Sequence, residues 1–169
     1  EHFRRPLAEL IALKQVLGLR SPVNTLTRML NPLAAQSSLQ SIFHPAYGRL
    51  HLECDVLLGQ PRSLVFKGES GEIEVKPHAD TQLMLQQAGA TADTTLARTV
   101  PGRVPDVERP SVEPLRAMWR GEAEDPYGLD ATLATTAAAL LLLEPGSDHA
   151  AALARARALW DSRDKHRLD

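Results

Sequence analysis

The stretch that most limits how this chain folds runs from residue 38 to residue 68. "LQSIFH" suits a strand, "AYGRLHLECDVLLG" suits a helix with Leu50, Val56 and Leu57 on it and Gly59 closing it, and "SLVFKG" suits a second, buried strand. A strand, a helix and a strand at this spacing argue a crossover α/β unit, right-handed if the two strands are parallel. Two further strands are expected at "EIEVKP" and "TQLMLQ", separated by a turn. Residues 99–110, with Pro101, Gly102, Pro105 and Pro110, read as an irregular connection. Three helices come next. Ser111 caps the first, Asp130 caps an Ala-rich one that ends before Glu144-Pro145-Gly146, and Asp148 caps the last, through about Arg163. "ATLATTAAALLLL" is apolar most of the way round, which predicts burial against the sheet.

The amino-terminal region has a different rhythm. "RPLAELIALKQVLG" places Leu7, Leu10, Ile11, Lys14 and Leu17 on one mainly apolar stripe, and Gly18 is a natural helix stop. Ser21-Pro22 offers a cap followed by proline, opening a short second helix that should pass Leu30 and stop before Asn31-Pro32. No apolar partner for these helices lies nearby in the sequence. They read as the edge of a helical domain, so the expected division is residues 1–34 as helices and hinge and residues 35–169 as the α/β domain. The chain opens at Glu1, which suits a fragment, a processed form or a trimmed chain.

Composition narrows the class of function. A chain of 169 residues, 43% hydrophobic and 24% charged, has the makings of one packed core and is not a disordered segment. Cys54 is the only cysteine, so there is no disulfide framework and no cysteine zinc site, and a reducing cytoplasm is the expected location. The longest apolar run, Ala137 to Leu143, is far short of the ~20 residues of a membrane span, and no signal peptide is read at the start. Charge is uneven. Arg4, Arg5, Lys14, Arg20 and Arg28 give residues 1–32 a net charge of +3, while the remainder carries −5. Such asymmetry suits a face for an anionic partner, or solvated helix faces charged by chance.

The usual chemical motifs are missing. The histidines show no zinc-binding spacing, and there is no G-x-S-x-G, no Walker lysine loop and no G-x-G-x-x-G. Trp119 and Trp160 read as packing anchors and Cys54 as a small core residue. What remains is "VFKGESGEIEVKP" at residues 65–77. On a strand, Glu72 and Glu74 would point to one face. Two such carboxylates can hold Mg²⁺ through oxygen, and they can equally line a solvated edge.

Three longer stretches resemble the anthranilate phosphoribosyltransferase family. "LGLRSPVNTLTRMLNPL" is similar to its L-G-x-R-T-x-F-N-x-L-G-P-L-x-N-P segment. "IFHPAYGRLHLECDVLLGQPRSLVFKGESGEIE" resembles its histidine-proline start, helix and V-V-H-G-x-x-G-x-D-E strand. "GLDATLATTAAALLL" resembles its R-D-x-x-L-L-N-A-A-A-A-L helix. The resemblance implies an α/β fold, the C-terminal domain of the anthranilate phosphoribosyltransferase and class-III nucleoside phosphorylase type, with edge helices of the α domain at the start. It also implies a homodimer and a missing N-terminal portion that carries the diphosphate loop.

The departures from the pattern bear on function. The enzymes' Asp-Glu metal pair aligns with Gly71-Glu72, so one carboxylate is gone and Glu72 with Glu74 reads as a relic metal site. An arginine of the enzymes aligns with Lys14, which keeps charge but loses the bidentate fork. Their Gly-Pro aligns with Thr27-Arg28 and the asparagine of the Ala-rich helix with Thr135. These changes resemble the bacterial branch that keeps the fold without the activity. The resemblance therefore implies no catalytic residues and no cofactor. It implies binding of DNA or RNA through phosphate contacts with little sequence preference, with Lys14, Arg20, Arg28 and Lys67 as the anion-binding candidates. The alternative is a transferase with an altered substrate, which would need Mg²⁺.

Overall fold

A computed structural model describes residues 4–18, 26–68, 72–102, 111–144 and 146–168, apart from the side chains of Arg4, Lys14 and Leu17. Arg20, the Ser21-Pro22 start signal, the Glu69-Ser70-Gly71 turn, Pro105 and Pro110 lie outside the described residues. The chain divides into two compact units, Glu1–Gln36 and Ser37–Asp169.

In the first unit, helix α1 spans Arg4–Leu17, and Gly18 comes next with φ +66°, the left-handed conformation that a helix stop requires. Leu10, Ile11 and Val16 of α1 are exposed. A single 3₁₀ turn, Thr27–Met29, ends at Leu30, whose backbone is already extended ahead of Asn31-Pro32.

The second unit holds a four-stranded sheet in the order β1-β2-β3-β4, with β1 at Ser37–Ile42, β2 at Arg62–Lys67, β3 at Thr81–Gln87 and β4 at Ala90–Leu96. Strands β1 and β2 are parallel, joined through helix α2 (Tyr47–Leu57), as the strand-helix-strand spacing predicts. The β2–β3 and β3–β4 pairs are antiparallel. Helices α3 (Glu113–Arg120), α4 (Pro126–Leu143) and α5 (His149–Asp161) complete the unit.

Two elements differ from the sequence reading. "EIEVKP" is not a strand. The antiparallel partner of β2 is Thr81–Gln87, and the Val75 amide, which a ladder would use, donates instead to Thr135 Oγ1 at 2.9 Å. "ATADTTL", by contrast, is strand β4. It pairs with β3 across a two-residue turn in which Ala88 (φ +49°) and Gly89 (φ +85°) both adopt the left-handed backbone that a tight hairpin needs.

The caps reflect local chemistry. Asp148 Oδ1 accepts from the Ala151 amide at 2.7 Å and starts α5, as expected. Helix α4 starts earlier than expected: Asp125, not Asp130, is its cap, accepting from the Gly128 amide at 2.9 Å, with Pro126 in the first turn. At α3 the cap position is Val112, which has no side-chain cap bond, and the expected cap Ser111 lies one residue earlier, its Oγ accepting from the Glu113 amide at 3.3 Å.

The sheet's two faces are built differently. One face carries Leu64, Phe66, Leu83 and Leu96. It packs on Ala134, Ala137, Ala138 and Leu141 of α4, with Ala152 and Ala156 of α5 in the same cluster. Helix α4, with its 18 residues, has the length and composition of a membrane span, more than the shorter run read from sequence suggests. Its apolarity is used in this core.

The opposite face has a small apolar cluster of Ile42, Leu52, Val65 and Met84. The rest of its contact with α2 is polar. Helix α2 buries Gly48, His51, Leu52 and Asp55, and leaves Leu50, Val56 and Leu57, the apolar residues that the sequence reading singled out, exposed. The buried Gln40 side chain sits at the centre. Its Nε2 donates to both Asp55 carboxylate oxygens at 2.9 and 2.8 Å, and its Oε1 meets His51 Nδ1 at 2.8 Å. Cys54 is half-buried rather than a core residue.

At the far end, Trp119 and Trp160 pack edge to face with centroids 5.7 Å apart, and the Arg163 guanidinium stacks 3.8 Å from the Trp160 ring while donating to the Trp119 carbonyl at 2.8 Å. This staple ties α3 to α5, the anchoring role expected of both tryptophans.

The Gln40 network yields a test. Asp55→Ala removes an acceptor from a buried amide, so the expected loss is about 1–3 kcal/mol of stability, read as a lower thermal midpoint. Adding Gln40→Leu should cost less than the sum of the two single changes, because the stranded donor is then removed.

Candidate functional site at the ends of the parallel strands

Parallel strands in an α/β sheet open a crevice beyond their carboxyl ends, because their connections leave from there. Here those ends are Ile42 and Lys67, which are partners in the ladder. The segments that leave these two residues form the candidate site.

After β1 come Phe43, His44 and Pro45, and then α2 begins at Tyr47. The three rings form a group. Phe43 and His44 meet edge to face with centroids 4.7 Å apart, and His44 and Tyr47 lie at 6.0 Å. Phe43, His44 and Tyr47 are all exposed. Lys67, the β2 residue across from Ile42, is exposed as well.

After β2 the chain turns at Gly68, which is buried and has no room for a side chain. A Cβ there would overlap the Glu72 carbonyl and lie 3.1 Å from the Ser41 Cβ. The loop thus folds back on itself against the end of β1. From residue 72 to residue 80 the backbone is anchored without belonging to the sheet. The Val75 amide is held by Thr135, the Pro77 carbonyl accepts from Thr99 and Val100 at 2.8 and 3.0 Å, and the Arg98 amide donates to Asp80. His78 Nδ1 meets the Tyr127 hydroxyl at 2.7 Å, with the rings stacked.

Glu72 and Glu74 are both exposed on this anchored loop, and a tight turn joins them, the Glu74 amide donating to the Glu72 carbonyl at 2.9 Å. Strand alternation therefore does not put them on a common face. Among the described residues no three His, Cys, Asp or Glu side chains come together as a metal-binding group. The described part of this loop offers a Mg²⁺ the oxygens of these two glutamates and of Asp80, which already accepts from the Arg98 amide, with neighbouring carbonyls.

Of the four anion-binding candidates read from sequence, Lys67 is placed at the strand ends. Arg28 lies exposed on the 3₁₀ turn of the first unit. The Lys14 side chain and all of Arg20 are outside the described residues. The sequence reading passed over Phe43, His44 and Tyr47. The available signal was density: three rings within five residues, in a chain whose Phe, Trp and Tyr make up 4% of the total.

Chemically, the strand ends offer a cation, exposed ring faces and an anchored loop with two exposed glutamates. Rings stack on planar ligands and a lysine pairs with phosphate or carboxylate. Within the described residues the arrangement has no nucleophile paired with a base in the manner of a hydrolytic triad.

No family model matches the chain. A protein of Aquifex aeolicus that carries no functional name is 35% identical over 81 residues, covering 48% of this chain and 26% of that protein. An anthranilate phosphoribosyltransferase of Oleidesulfovibrio alaskensis is 30% identical over 151 residues, covering 83% of this chain and 45% of the enzyme. The second match is weak homology that supports a family related to that enzyme, and the mixed α/β fold is compatible with it. The chain spans less than half the length of either relative.

Thr135 makes the loop testable. Its hydroxyl accepts from the Val75 amide and donates to the Ala131 carbonyl at 2.7 Å. Thr135→Val keeps the shape and removes the acceptor of a buried amide. The expected loss is about 1–3 kcal/mol, read as a lower urea midpoint, while Thr135→Ser should retain most of the stability.

Proposed function

We propose that this chain is part of a nucleic-acid-binding protein with a phosphoribosyltransferase-type α/β domain, and that it does not transfer phosphoribosyl groups to anthranilate. The observation that carries the binding half is the exposed Phe43, His44 and Tyr47 group beside the end of β2, where Lys67 stands. Rings stack on unpaired bases whatever the sequence, and a cation beside them meets the backbone phosphate. The expected ligand is single-stranded DNA or RNA bound with little sequence preference, since duplex bases are not available for stacking. Arg28 adds a second phosphate contact in this reading.

The catalytic half rests on residue identity. Gly71-Glu72 stands where the enzymes of the resembling family have two adjacent carboxylates. Mg²⁺ affinity depends on the number and charge of its oxygen ligands, so one carboxylate in place of two weakens the site. A second reading, a transferase with an altered substrate, is favoured by one observation, the identity to a protein named anthranilate phosphoribosyltransferase. Turnover with anthranilate and phosphoribosyl pyrophosphate, abolished by Glu72→Ala, would establish the transferase and overturn the proposal.

Binding of a fluorescent single-stranded oligonucleotide at several salt concentrations tests the first reading. Tyr47→Ala and Phe43→Ala should each weaken binding by about 1–3 kcal/mol, the cost of one lost base–ring stack. Arg28→Ala should lower the slope of log affinity against log salt by roughly one unit, and equally for different sequences. Unchanged affinity in folded Phe43 and Tyr47 variants would remove the strand ends from the binding surface.

A further inference from the structure

At the other end of the sheet, where β2 begins, a groove of about 730 Å³ opens between the β3–β4 hairpin and the junction of α4 and α5. Its walls are aliphatic: Leu85 and Ala92 on the hairpin, Leu141, Leu142 and Ala150 on the helices. No Phe, Tyr or Trp lines it. The volume lies in the range of small-molecule sites, which are mostly apolar with a few polar groups that orient the ligand.

The polar groups of this groove are unequal. His149 Nε2 is held by Thr94 Oγ1 at 3.0 Å. Asp148 is engaged as the cap of α5, and the nearby Glu144 pairs with Arg155 at 3.2 Å. Arg62 differs from these. It is half-buried at the first residue of β2, on the sheet face that carries Leu64 and Phe66. Its guanidinium makes one bond to the described residues, and that bond is long, Nη1 to the Leu143 carbonyl at 3.4 Å; it meets no carboxylate among them. A guanidinium has five N–H donors in a planar fork that matches a carboxylate, so most of the donor capacity of this groove-lining side chain is left unused by the described residues.

We propose that this groove binds an aliphatic carboxylate, its head on the Arg62 fork and its hydrocarbon chain along Leu85, Ala92, Leu141 and Leu142. Mostly aliphatic walls, on which the one ring among the described residues is the His149 imidazole, suit a flexible alkyl chain. The lone guanidinium makes the head group an anion. The site is separate from the strand-end crevice, since Arg62 and Lys67 sit at opposite ends of one strand.

The test is titration of the ¹⁵N-labelled protein with sodium octanoate and, separately, with 1-octanol, which has the same chain length and no charge. Octanoate should give saturable amide shifts confined to residue 62 and to residues 85–92, 141–144 and 146–150. Arg62→Gln should weaken octanoate on the order of tenfold, the worth of one charge-assisted contact, and leave octanol within about twofold. Ala92→Trp, on the exposed hairpin, should fill the groove and abolish both without shifting the thermal midpoint. Absence of saturable shifts, shifts centred elsewhere, or equal losses of octanoate and octanol in Arg62→Gln would each overturn the proposal. If Arg62→Gln fails to fold, Ala92→Trp decides: octanoate shifts that persist in it refute the site.

Discussion

The structure of the second unit depends on how closely α4 can approach the sheet. Ala134, Ala137 and Ala138 are fully or almost fully buried against Leu64, Phe66 and Leu83. A helix whose contact face is alanine brings its backbone near the strands, and the large residues of the sheet fill the space between. Larger side chains there would force the helix outward, and overpacking of such a core costs about 1–3 kcal/mol per site. The same approach lets Thr135, on the same helix, reach the Val75 amide and fix the loop that leaves β2. The packing of one helix thus positions the candidate site at the strand ends.

The order of the sheet adds a second constraint. Strand β2 has a parallel neighbour on one side and an antiparallel one on the other, so both of its edges are occupied and the loop after it cannot join the ladder there. Gly68, where that loop leaves the strand, admits the Glu72 carbonyl into the space of a side chain. The exposed rings after β1 and the exposed Lys67 at the end of β2 are neighbours for the same reason, because the two parallel strands end in register.

Much of this was legible in the sequence, and the failures have physical causes. The β1–α2–β2 unit and the burial of the Ala-rich helix are readable from apolar runs of the right length and spacing. The Asp148 cap is readable from an aspartate just before a helical run. Asp125 was missed because Gly128 lies close behind it and reads as a turn. In the fold, Gly128 instead supplies the amide that Asp125 caps, and a Cβ there would crowd that carboxylate. Strand β4 was missed because its small and polar residues are mostly exposed, which leaves no alternating apolar signal. "EIEVKP" alternates like a strand, yet alternation says nothing about whether a sheet edge is free to receive it. At the candidate site, Lys67 is the one anion-binding residue that the family resemblance had pointed to and that the strand ends carry. The ring group was overlooked because histidine, phenylalanine and tyrosine were weighed one at a time.

The polar interface under α2 has a consequence for local opening. Gln40, His51 and Asp55 are buried where the opposite face has thirteen buried residues of apolar core. Hydrogen bonds exchanged for water contribute little net free energy, whereas apolar burial contributes steadily with area. Helix α2 is therefore held by direction more than by strength. In native-state hydrogen exchange its amides should open as a separate unit below the global unfolding free energy, while β2, β3 and α4 exchange together and last. The exposed Tyr47 begins α2, so the ring group at the strand ends rides on the less stable layer of the domain.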